Sequence, residues 1–299
     1  MEAFARAGIL TANMQLGGFI FAYLLQTETF YDIFGGLNFL GIALLGLKQD
    51  GILASSDRFR TMSVLFIASR LWLLMFLAWR AHHRKGDTRF DGVKDKFGMF
   101  LVYWLVQALW CFIISLPLLV VQSAEELSIG QPSKMSWIDH VSAVGFATGI
   151  AFEIIADIQK ARWVAAGRQG GFCRLGLWKY SRHPNYFGEM LMWWCAWTLS
   201  HGAVTQSPDL WWTWVTASSS PIFTMYILLI IEGTGISHAE GGGLKRYYES
   251  DFASHYDEYR RKTSPLIPWV GYEYLPSFVQ KFFFFEWDRY KYRPKVKGG

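Results

Sequence analysis

Apolar residues in this chain come in blocks long enough to cross a lipid bilayer, and the short loops between them carry most of the charge. Crossing the hydrocarbon core takes about 20 largely apolar residues. Blocks of this kind at 8–25, 33–47, 62–79, 97–121, 138–158, 186–204 and 210–231 predict seven spans. A soluble chain of 299 residues would not carry 52% hydrophobic residues against 18% charged ones, and the same balance excludes coiled coil, collagen and disorder. The expected fold is all-α, a polytopic transmembrane helix bundle of about seven spans with an amphipathic helical C-terminal tail.

Cys111, Cys173 and Cys195 share no C-x-x-C spacing, so neither a disulfide framework nor a metal site is expected. The N-terminus lacks the basic start and cleavage site of a signal peptide, and the first block is expected to stay as a span. Basic residues sort by face: the loop 80–96 holds six, 160–182 six, and the stretch after Ile231 eleven. The other face has Arg6, Lys48, Arg58, Arg60 and Lys134, with Arg70 inside a span. The positive-inside tendency then puts the C-terminus in the cytoplasm. In the tail, Phe282–Phe285 and Trp287 followed by Lys291, Arg293, Lys295 and Lys297 read as an interfacial anchor over anionic lipid.

A charge near the bilayer centre costs at least about 2.5 kcal/mol, so each one needs a partner or a polar cavity. Glu153 and Asp157, four residues apart, share one helix face and mark either an ion pair between helices or the wall of a polar site. The densest polar cluster is Gly176-Leu-Trp-Lys-Tyr-Ser-Arg-His-Pro-Asn-Tyr-Phe-Gly-Glu189. Pro184 suits the first turn of a helix, whose free N–H groups and positive dipole end favour an anion beside Lys179 and Arg182. Glu189 brings a further acid into the span. Beyond the last span, Lys245-Arg246-Tyr247-Tyr248 precedes a 4-3-4 spacing of Phe252, Tyr256, Tyr259 and Thr263. That spacing predicts a helix packing one face back on the membrane domain, with Arg260, Arg261 and Lys262 at the same mouth.

These residues resemble the membrane reductases related to steroid 5-alpha-reductase and delta-14 sterol reductase, above all the DUF1295 branch. The resemblance rests on Phe152-Glu153-x-x-Ala156-Asp157-x-Gln159-Lys160, the 14-residue cluster, Tyr256-x-x-Tyr259-x-Arg-Lys-Thr-Ser264 and Ile267-Pro-Trp269. Weaker echoes are Asp32, Arg70-Leu-Trp and Asp87-Thr-Arg89-Phe. It implies one reductase domain over 1–269, with a substrate-pocket half at about 1–137 and a cofactor half at about 138–269, and a basic, aromatic tail at 270–299. It also implies NADPH as cofactor and hydride transfer to a carbon–carbon double bond of a lipid, a steroid, sterol or long-chain enoyl compound. Carried over, Asn185, Tyr186 and Glu189 would line the nicotinamide side, and Asp157 and Glu153 would meet the cofactor from the preceding helix. Lys160, Lys179, Arg182, Arg246 and Arg261 would surround its phosphates, with Tyr180, His183, Tyr256 and Tyr259 in the same cofactor set. Arg182 is expected to be dispensable for folding. Glu153, Glu189, Asp32 and Tyr103 stand as candidate proton donors. The stretch 232–240 departs from the family's Ser-Gly-x-Pro pattern before an acidic residue.

Isoprenylcysteine carboxyl methyltransferases share the Arg-His-Pro-x-Tyr-x-Gly turn and a Phe-x-x-x-Tyr-x-x-Tyr helix, which leaves S-adenosylmethionine chemistry as an alternative. A non-catalytic lipid-binding protein is the other. The expected partners are membrane lipid and a hydrophobic small molecule, without nucleic acid, and the expected location is the endoplasmic reticulum membrane.

Overall fold

A computed structural model describes residues 2–47, 55–83, 90–127, 134–241 and 244–292, the side chains of 81–83 excepted. Lys48, Asp87, Arg89, Arg293, Lys295 and Lys297 lie outside the described residues. The chain is a helical membrane bundle, and among the described residues it has no strand, only an isolated bridge between Ser181 and Ser264.

The long helices are α1 (Glu2–Leu24), α2 (Tyr31–Leu45), α3 (Asp57–His83), α4 (Phe97–Leu127), α5 (Trp137–Ala165) and α6 (Pro184–Val204). Short helices follow: α7 (Trp211–Ala217), α8 (Ser219–Met225), α9 (Lys245–Tyr248), α10 (Ala253–Lys262) and α11 (Ser277–Phe283). Among the described residues, five segments are long and apolar enough to cross a membrane: α1, Asp57–Arg80, α4, α5 and Pro208–Ile230. At 15 residues, α2 would reach only about 22 Å, short of the roughly 30 Å core. Helix α6 has the length, with 21 residues, but its first turn and its Ser, Thr and His residues make it more polar than those five.

The chain divides into two compact units, Met1–Phe146 with Trp193–Pro221, and Ala147–Met192 with Ile222–Gly299. In the first unit, lipid-facing helices are tied by polar side chains that satisfy one another. Gln15 Nε2 donates to Asn38 Oδ1 at 3.0 Å, Asn38 Nδ2 to Thr11 Oγ1 at 3.0 Å, and Gln107 Nε2 to Gln15 Oε1 at 2.9 Å. All four are buried, so every amide finds its partner inside the protein, as hydrocarbon surroundings require. Arg58 meets Asp139 at 2.8 Å, and the buried Arg70 guanidinium lies over the Phe39 and Trp193 rings at 5.4 and 4.7 Å.

In the second unit the helix derived from 210–231 does not end cleanly. It passes through a π-helical turn, Tyr226–Ile230, breaks, and forms another at Ser237–Gly241. Gly235 makes the break possible: its φ of +50° is left-handed, and a Cβ there would strike the Leu228 carbonyl oxygen. The break places Glu240, on the second π turn, in the protein interior.

Helices α5 and α6 approach each other through glycine in this unit. A Cβ on Gly188 would fall 2.6 Å from the Gly149 carbonyl oxygen and 2.9 Å from the Glu153 nitrogen, both rigid backbone atoms. Gly188→Ala should therefore lower unfolding stability in detergent by about 1–3 kcal/mol. Gly98→Ala, which would meet nothing within 4 Å, should leave it unchanged; equal thermal midpoints for the two variants would refute the close approach.

Candidate functional site

The polar turn ahead of α6 is held from both sides. Gly176–Lys179 forms a 3-10 turn in which the Leu177 amide donates to Gln159 Oε1 at 2.9 Å and Trp178 Nε1 to the Ala156 carbonyl at 3.0 Å. Gly176 has φ +52°, and a Cβ there would strike the Gln159 amide. On the other side, the segment after α10 runs alongside 179–182. The Arg182 amide donates to the Ser264 carbonyl at 2.8 Å, the Trp269 amide to the Tyr180 carbonyl at 3.1 Å, and Ser181 Oγ to the Leu266 carbonyl at 2.6 Å. The Thr-Ser-x-x-Ile-Pro-Trp motif is thus the clamp that fixes the turn. Helix α10 packs as its spacing predicts, with Tyr256 and Tyr259 each 5.0 Å from Phe172 and the Tyr259 hydroxyl donating to the Trp178 carbonyl at 2.6 Å.

Three buried charges and the half-buried Glu286 close a ring behind the turn. Arg182 Nε lies 2.8 Å from Glu240 and its Nη2 2.6 Å from Glu286. Arg260 meets the same two carboxylates at 2.9 and 3.2 Å. The Arg182 side chain is 2% exposed and that of Glu240 1%. His183 Nε2 donates to Glu240 at 3.0 Å and its ring stacks on Tyr186, while the Tyr272 hydroxyl donates to Glu286 at 3.1 Å. Burial disfavours the charged form of Glu240, yet Arg182, His183 and Arg260 carry its pKa down to about 2. Burial holds the His183 imidazole below its ordinary value, so it stays neutral.

Arg182, expected from the sequence at the cofactor phosphates, is buried with its guanidinium taken up by Glu240 and Glu286 in a neutral ion ring. The ring needs Glu240 from the departing 232–240 stretch and Glu286 from the tail. No sequence signal links positions 182, 240, 260 and 286; the helix-breaking Gly-Thr-Gly at 233–235 was the one local hint at Glu240. The tail is also more than a surface anchor. Phe284 and Tyr290 are buried, and the Tyr290 hydroxyl donates to the Leu229 carbonyl at 2.6 Å, whereas Phe282 and Phe283 are 77% and 63% exposed.

The remaining cofactor candidates fall along one stretch of the second unit. Asn185 Nδ2 donates to Asp157 Oδ1 at 3.3 Å, while the buried Asn185 Oδ1 accepts no hydrogen bond. Glu153 and Asp157 are buried on α5; Tyr186 and Glu189 are half-buried on α6. One turn along α5 from Asp157, Lys160 Nζ lies over the Trp163 and Trp178 rings at 4.6 and 4.4 Å. Arg168 and Arg246 act electrostatically on Lys160 and on the buried Tyr247, and the Arg246 guanidinium lies 4.7 Å above the Tyr247 ring. Among the described residues none of these three cations forms an ion pair with a carboxylate. Arg168 was not singled out by sequence, because its loop carries no motif. Lys179, Tyr180 and Arg261 are exposed. Asp32 and Tyr103 belong to the first unit, Asp32 in the first turn of α2 and Tyr103 on α4 with its ring 5.2 Å from Phe90.

The family described as "Protein of unknown function (DUF1295)" matches residues 18–263. No curated protein and no solved structure matches.

Removing Arg182 would leave the buried Glu240 and the half-buried Glu286 each short of a partner, so Arg182→Ala should cost about 3–5 kcal/mol of stability. The ring also sets an acid limit. The folded pKa of Glu240 is depressed from 4.5, so its contribution is complete above pH 4.5 and lost as pH falls toward 2. His183 is likewise depressed from 6.5, so the unfolded chain takes up its proton first and stability begins to fall below pH 6.5. Melting temperature against pH should decline in both windows, and His183→Gln should remove the upper one; a profile flat from pH 7 to 3 would contradict the arrangement.

Proposed function

The chain belongs to the DUF1295 family, and from that premise we propose that it is an NADPH-dependent membrane reductase acting on a carbon–carbon double bond of a lipid. The observation that carries this reading is the unsatisfied Asn185 acceptor beside Asp157, with Lys160 one helical turn along α5 and Arg168 and Arg246 acting on Lys160, three cations that have no acidic partner. A dinucleotide with an extra phosphate has this polarity: a carboxamide that donates hydrogen bonds at one end, and phosphates that demand clustered cations at the other. S-adenosylmethionine, with one carboxylate and a sulfonium charge, would leave most of those cations unused.

Bound NADPH supplies the hydride. The protein's share is positional and acidic. Asn185 and Asp157 hold the carboxamide end, and Lys160, Arg168 and Arg246 hold the phosphates. The faces of Trp163 and Trp178 keep Lys160 directed along this stretch. The α5–α6 contact at Gly188 sets Glu153 and Glu189 at one level of the helix pair, where either can give the proton that completes the reduction. The substrate is an apolar molecule drawn from the bilayer, and the basic face places the cofactor side in the cytoplasm, with the endoplasmic reticulum as the membrane.

Thermal unfolding of the detergent-purified chain with NADPH, NADH or S-adenosylmethionine tests the assignment. NADPH at 100 times its dissociation constant should add about 2.7 kcal/mol. Asn185→Ala should abolish the rise without moving the unliganded midpoint, and Arg246→Ala should narrow the preference for NADPH over NADH. A rise with S-adenosylmethionine alone, or an undiminished NADPH response in Asn185→Ala, would overturn it.

A further inference from the structure

A cavity of about 560 Å³ lies in the second unit between α10, α11 and the last described residues, within the size range of small-molecule sites. Its floor is the Arg182 and Arg260 side of the ion ring. Arg261, Lys281 and Lys291 add positive charge to its wall, and Asp257 and Glu273 add negative charge. Neither Arg261 nor Glu273 forms an ion pair or side-chain hydrogen bond among the described residues. Lys281 and Lys291 meet only the exposed Asp288, at 3.2 and 2.7 Å, pairs that water screens and a ligand can replace. Glu240, Glu286 and Asp288 are held by these same cations, so five basic groups face five acidic ones and the cavity is strongly polar without net charge. Three tyrosines complete the wall: Tyr272, and Tyr248 and Tyr292, which stack at 5.2 Å.

A simple anion would gain from Arg261 and lose at Glu273 and Asp257. A zwitterion uses both. Its phosphate satisfies Arg261, Lys281 and Lys291, and its ammonium group takes the acids and the electron-rich tyrosine rings, the recognition used for choline-type cations. The source of the zwitterion follows from α11, which separates two environments. Ser277, Gln280 and Lys281 line the cavity, while Phe278, Phe282 and Phe283 on the same seven-residue helix are 61%, 77% and 63% exposed. Trp269 and Tyr274 are exposed nearby in sequence. In a chain built to sit in a bilayer, such a face enters the lipid interface, which sets the cavity at headgroup depth. We propose that this cavity binds the zwitterionic phosphate headgroup of a membrane lipid, of the phosphocholine or phosphoethanolamine class.

The test uses the full chain in detergent, and it reads NADPH binding separately, so that failure here is distinct from failure of the reductase assignment. Phosphocholine should raise the melting temperature, whereas inorganic phosphate or choline at the same concentration should not. Phosphatidylcholine should co-purify in preference to phosphatidylglycerol, quantified by mass spectrometry after exchange with mixed vesicles of the two. Glu273→Gln and Tyr292→Leu should each weaken phosphocholine binding about tenfold, and Tyr292→Phe should restore it. Equal binding of inorganic phosphate, displacement of phosphocholine by NADPH, or unchanged affinity in Glu273→Gln would overturn the proposal. Phosphocholine binding with no phospholipid retained would overturn the lipid as its source.

Discussion

Two arginines and two glutamates, three of them buried and Glu286 half-buried, tie the second unit together. Arg182, Glu240, Arg260 and Glu286 alternate in sign around a closed ring, so each charge has two opposite neighbours and none is left uncompensated. Charges in such surroundings are costly when alone and tolerable only when geometry and hydrogen bonding are nearly complete. The ring closes its ion pairs and gains hydrogen bonds from His183, Tyr272 and the Tyr290 carbonyl. It therefore dictates where four separate stretches of chain must meet: the turn before α6, the second π turn, the end of α10 and the tail.

This allocation separates the paired cations from the unpaired ones. Arg182 and Arg260 are neutralised within the ring. Lys160, Arg168 and Arg246 are not, and aromatic faces rather than carboxylates accompany Lys160 and Arg246. Cations placed this way keep their attraction for an incoming phosphate, since no internal acid must first be displaced. The same contrast separates Arg261, left without a partner at the cavity wall, from Arg260 one residue earlier, which is buried in the ring. The side chains of adjacent residues on a helix point about 100° apart, so the repeat of α10 alone assigns the two arginines to different tasks.

The first unit obeys a different constraint. Lipid offers no hydrogen bonds, so buried polar side chains there pair with one another, in the Gln107–Gln15–Asn38–Thr11 chain and the Arg58–Asp139 pair. These contacts are fully satisfied and bind helix to helix, which explains why polar residues in these spans serve packing.

The bundle itself was legible in the amino-acid order, because apolar length and charge sorting are local properties that a bilayer reads directly. So was the polar turn from Gly176 to Glu189: glycine, proline and the helix-start residues dictate its conformation within a few positions. The tyrosine spacing of α10 likewise foretold its buried face. The ion ring was not legible, since its members are up to 104 residues apart and each alone looks like an ordinary surface charge. Sequence assigned Arg182 to a ligand and the tail to the lipid surface; tertiary structure turned Arg182 inward and drew Glu286 from the tail to meet it. The reason is physical: helix periodicity and turn chemistry act between neighbours, whereas the pairing of buried charges is decided only when distant segments are enclosed together and each must find the nearest opposite sign.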